Sequence, residues 1–73
     1  MVRYPHIGGT YYLKLTKNES RLHNCEVLKA KFVQEKFFTR VWWIFDYDPN
    51  IRGAWVAEDI MDRLFGTEDE AKA

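Results

Sequence analysis

The sequence predicts a mainly β domain, a β-rich α+β fold in which a four-stranded antiparallel sheet, open or rolled into a small barrel, carries one C-terminal helix. Three observations predict it. Residues 37–47 hold six of the twelve aromatic side chains of a 73-residue chain, together with Val41 and Ile44, and aromatic and β-branched residues favour a pleated, half-buried surface. Two further stretches, 10–16 and 25–33, alternate apolar and polar residues with the period of a strand. The apolar spacing becomes helical only near the C-terminus.

Taken in order, Pro5, Gly8 and Gly9 break up an irregular lead-in. Thr10–Thr16 follows as a half-buried strand, with Tyr11, Leu13 and Leu15 on one face. Residues 17–24 are polar apart from Leu22 and read as a loop, or as a short helix capped by Asn18. Cys25–Val33 is the second strand, with Leu28, Ala30 and Phe32 pointing one way and Val27, Lys29, Lys31 and Val33 the other. Gln34-Glu35-Lys36 is expected to make the hairpin loop, although it lacks a Gly or Asn-Gly signal.

The long strand 37–47 then presents two rows. Phe37, Thr39, Val41, Trp43, Phe45 and Tyr47 suit a core. Phe38, Arg40, Trp42, Ile44 and Asp46 form a second row, still rich in large apolar groups. Asp48–Gly53 is a turn in which Pro49 presets φ, and Gly53–Ala57 is a fourth strand. Glu58–Phe65 has Ile60, Met61, Leu64 and Phe65 on one helical stripe, acidic residues in its first turn, and Gly66 as a stop. The domain is expected to occupy 1–66, with 67–73 as an acidic flexible tail that has nothing to bury.

The run of elements from Val27 to Ile60 carries a resemblance. Two strands end in Phe45-Asp46-Tyr47-Asp48, a turn leads to Trp55-Val56, and Glu58-Asp59-Ile60 follows. This resembles Tudor-like and other SH3-like small barrels. The resemblance implies a fifth strand, which the sequence does not place, and it implies an aromatic cage if Trp42, Tyr47 and Trp55 converge.

Net charge is zero, with 11 basic and 11 acidic residues. Residues 1–56 carry nine Lys/Arg against five Asp/Glu and residues 57–73 two against six, so a +4 body meets a −4 end. The asymmetry marks either a basic binding surface with an acidic tail or, more plainly, an acidic end that docks on the basic body or merely balances it. A single cysteine, Cys25, excludes an internal disulfide and fits a reducing compartment. Without a leader-like or spanning apolar run, the expected location is the cytoplasm.

No catalytic pattern is present, so the chain is read as no enzyme and without cofactor or metal. His6 and His23 stand in loops, and Cys25 has no neighbouring His. Asp46-Tyr47-Asp48-Pro49-Asn50 resembles the opening of a calcium loop, but Ile51 stands where that loop needs glycine. The expected function is a small binding module acting on another protein as inhibitor, adaptor or accessory subunit. It would use an aromatic sheet face with Phe38, Arg40, Trp42, Tyr47 and Trp55 as contact residues. The alternative is a nucleic-acid-binding barrel using Lys29, Lys31, Arg40 and Arg52 beside the rings. One short helix of about 12 Å cannot cover a strand of about 36 Å. The second row is therefore expected to pair with a second copy in a homodimer, or to be the partner site of a monomer.

Overall fold

In the computed structural model, which describes residues 2–48 and 50–73, a single antiparallel sheet of five strands runs in the order β4-β3-β2-β1-β5. In chain order the elements are β1 (Thr10–Lys14), α1 (Lys17–His23), β2 (Val27–Phe38), β3 (Arg40–Asp48), β4 (Ile51–Val56), α2 (Ala57–Ile60), β5 (Leu64–Phe65) and α3 (Glu68–Lys72). The fold is mainly β, as the alternation requires. No helix among the described residues is long and apolar enough to cross a membrane.

The inner face of the sheet is the core. Leu13 on β1, Leu28, Ala30 and Phe32 on β2, and Trp43 and Phe45 on β3 are all buried there, alternating along each strand as the sequence pattern demands. Ile60 from α2 and Leu64 from β5 close the opposite side and are completely buried. The rings of Phe32, Phe45 and Trp55 meet in tilted and edge contacts at 5.3 and 5.8 Å. Gly53 is required beside them, because a Cβ there would stand 2.8 Å from the Trp55 ring and 2.9 Å from the Tyr47 ring.

Several expectations need correction. The hairpin loop is not at 34–36: β2 continues through those residues to Phe38, and the chain reverses at Thr39, whose φ is +57°. Phe37 and Phe38 therefore end β2 rather than beginning β3. The expected helix 58–65 stops at Ile60, and Leu64–Phe65 instead pair with Leu13 and Tyr12 as the fifth strand. The expected four-stranded sheet thus has five strands, and the apolar residues Ile60 and Leu64 join the inner core instead of covering the second row.

Residues 17–23 form a helix capped by Thr16, not Asn18. The Thr16 hydroxyl accepts from the Glu19 backbone N–H at 3.3 Å while the Glu19 carboxylate accepts from the Thr16 N–H at 2.9 Å. Finally, the terminal segment does bury something. Glu68–Lys72 form α3, capped by Thr67, and Ala71 is completely buried. The lead-in is tied at both ends, Val2 N–H donating to Leu64 and Gly8 N–H to Phe32. The expected role of Pro49 in the β3–β4 turn lies outside the described residues.

Candidate partner-binding surface

The β2–β3 hairpin reaches beyond the rest of the sheet. β1 pairs with β2 only from Val27 to Lys31, and the Gly8–Gly9 backbone continues that edge no further than Phe32. At Val33 the register with β3 shifts by one residue, a bulge that increases local bend and twist. From Gln34 onward, among the described residues, β2 has β3 as its only strand partner. The tip is stiffened by a cross-strand hydrogen bond from Trp43 Nε1 to Glu35 Oε2 at 2.9 Å, and it carries Phe37 and Phe38 at 80% and 76% exposure.

Each face of the tip has its own hollow. On the outer face, Phe38, Trp42, Ile44 and Ala54 line a depression of about 300 Å³ in which Lys36 is the one charged lining residue. On the inner face, a groove of about 400 Å³ runs between Phe37, Val41 and Trp43 on the hairpin and Met61 and Tyr4 opposite. The exposed rims of that groove are Tyr4, Phe37 and Met61, none of which the sequence marks as contact residues.

The expected contact residues fall into three places. Phe38 and the half-buried Trp42 share the outer depression. Arg40 lines the inner groove and pairs with Glu58 at 3.0 Å. Tyr47 and Trp55 lie on the inner side at the opposite end, 6.0 Å apart, with His23 edge-on to Tyr47 at 5.2 Å. Trp42, Tyr47 and Trp55 are consequently not gathered into a cage.

Trp55 belongs instead to a polar clamp. Its Nε1 donates to Glu19 Oε2 at 3.2 Å, and Arg63 Nη1 donates to Glu19 Oε1 at 2.8 Å and to the Lys14 carbonyl at 2.9 Å. Partial burial pushes the Glu19 carboxyl up. The Thr16 backbone N–H, the Arg63 guanidinium and the Thr16 hydroxyl outweigh that and hold it down at about 2.

Of the cations expected for nucleic acid, Arg52 and Arg40 are already paired. Arg52 forms a two-point pair with Asp46 at 2.7 and 3.2 Å, which holds the Asp46 carboxyl below its usual range. Lys31 lies near the same carboxylate, and Lys29 near Glu68. Arg40 has Glu58. The acidic end packs on the body, with Ala71 completely buried and Lys14 Nζ donating to the Ala73 carbonyl at 3.4 Å. Among the described residues, no three His, Cys, Asp or Glu side chains gather as a metal site requires. No protein family, no curated protein and no solved structure matches the chain.

Proposed function

We propose that the chain is a small, non-catalytic binding module that acts on another protein, as inhibitor, adaptor or accessory subunit, through the outer side of the β2–β3 hairpin. One observation carries the reading: Phe38, 76% exposed, stands beside Trp42 and Ile44 on a sheet face that, among the described residues, no element covers at that end. Interface cores favour such aromatic groups, and an exposed contiguous apolar patch is a recurrent mark of a docking site. The pairing of Arg40 with Glu58 and of Arg52 with Asp46 speaks for a protein partner over a phosphate backbone.

The strand order, with β5 returning beside β1 after the short α2, supports the SH3-like resemblance as a binding scaffold. The free Cys25 suits a reducing compartment such as the cytoplasm. Affinity capture from the native cell tests the reading. Wild-type protein should recover a protein partner that Trp42→Ala and Phe38→Ala lose. Equal recovery by all three, or none by any, overturns it.

A further inference from the structure

The outer face of the sheet is covered at one end and bare at the other. Over β1 and the first half of β2 lies α3, an acidic segment with Glu68, Asp69 and Glu70 in its first turn. It is held by the complete burial of Ala71 and by Lys14 donating to the Ala73 carbonyl, while Glu68 pairs with Lys72 of its own helix at 2.7 Å. The fold therefore already seats one acidic segment on this face through a small apolar contact and a lysine-to-backbone hydrogen bond. The same face continues along β2 past Lys31 to Lys36 and Phe38, and across to Trp42, Ile44 and Ala54. At the far margin Lys31 and Arg52 are balanced by Asp46 and Asp48. In the apolar hollow Lys36 is the one charge, and among the described residues no carboxylate pairs with it.

Resting on the binding-module reading above, we propose that the bare half takes an acidic, apolar-faced segment of the partner protein, seated on the same face as α3. Apolar side chains of that segment fill the hollow between Phe38, Trp42 and Ala54, and its carboxylates meet Lys36. Charge complementarity of this kind sets register and encounter rate more than raw affinity.

Selection of short random peptides displayed against the immobilised full chain tests this. Enriched peptides should combine aromatic or aliphatic residues with Asp or Glu. Their binding should disappear in Trp42→Ala, weaken severalfold in Lys36→Glu, weaken with added salt, and survive Phe37→Ala, which alters only the inner groove. Peptides that depend on Trp42 but are neutral or basic overturn the acidic partner and leave the binding module standing. No Trp42-dependent peptide overturns both. Self-association of the chain, or binding of a single-stranded oligonucleotide, that Trp42→Ala abolishes makes the occupant a second copy or a nucleic acid and likewise overturns the proposal. Should Trp42→Ala fail to fold by circular dichroism, the exposed Lys36→Glu decides, since it changes charge without touching packing.

Discussion

Phe45 and Phe37 lie on the same face of the same hairpin, yet Phe45 is 1% exposed and Phe37 is 80% exposed. Alternation along a strand assigns a side chain to a face; what stands across from it decides whether it is buried. At the root of the hairpin, Leu13, Ile60 and Leu64 stand across, and Phe45 packs among them. At the tip β1 has already ended, and Phe37 borders an open groove. The tip is thus aromatic surface that the core does not use.

The largest expected effect separates the two phenylalanines directly. Phe45→Ala removes a fully buried ring and leaves a cavity, which costs about 3–5 kcal/mol, a large share of the 5–15 kcal/mol that holds a typical domain together. Phe37→Ala should change stability by no more than about 0.5 kcal/mol. Urea unfolding of both variants checks the contrast. A Phe37→Ala cost comparable to that of Phe45→Ala would mean that the tip packs on the body in solution.

The root was legible in the sequence and the tip was not, for physical reasons. The core residues Leu28, Ala30, Phe32, Trp43 and Phe45 follow strict alternation, which only a strand with one buried face produces. At the tip, polarity misleads: Gln34-Glu35-Lys36 look like a loop, but they are a strand whose Glu35 accepts from Trp43. The actual turn residue, Thr39, carries no turn signal. Helix α1, expected with Asn18 as its cap, and the missed helix α3 did announce themselves, since Thr16–Glu19 and Thr67–Glu70 are T-x-x-E pairs whose threonine accepts the backbone N–H three residues on. Of the stripe Ile60, Met61, Leu64 and Phe65, Ile60 and Leu64 are fully buried but Met61 is exposed, and the element is wrong, because pairing with Leu13 and Tyr12 supplies strand partners that spacing alone cannot reveal. Of the contact residues, Phe38 and Trp42 do share a face, whereas Tyr47 and Trp55 were drawn to the root by packing on Phe45 and α1.

The next effect loosens the root alone. The Glu19 carboxyl ties α1 to Trp55 on β4 and to Arg63 before β5, and it is held at about 2 against an ordinary 4.5. A carboxyl depressed in the folded state stabilises that state above its unfolded pKa. The contribution is therefore complete above about pH 4.5 and is lost as pH falls toward 2. Because the side chain is still partly solvated, about 1–2 kcal/mol is the expected size. Glu19→Gln should lower stability at neutral pH by that amount and flatten the acid limb, as read from thermal unfolding at a series of pH values. A variant that keeps the wild-type acid limb would show that other carboxylates produce it.

The smallest effect belongs to the turn of the tip. Thr39 sits at φ +57°, in the left-handed region, where a β-branched side chain crowds its own backbone at a cost of about 1–2 kcal/mol. Asparagine tolerates that region far better and, unlike glycine, adds little freedom to the unfolded chain. Thr39→Asn should therefore stabilise the domain by about 0.5–1 kcal/mol, a rise in Tm of a few degrees for a chain of this size. The near-ultraviolet circular dichroism of the root aromatics should stay unchanged, because Thr39 touches both hollows of the tip but none of the buried rings. A loss of stability would place the turn elsewhere than Thr39. A gain accompanied by weaker partner binding would mean that the strained residue is retained for the shape it imposes between Phe38 and Arg40.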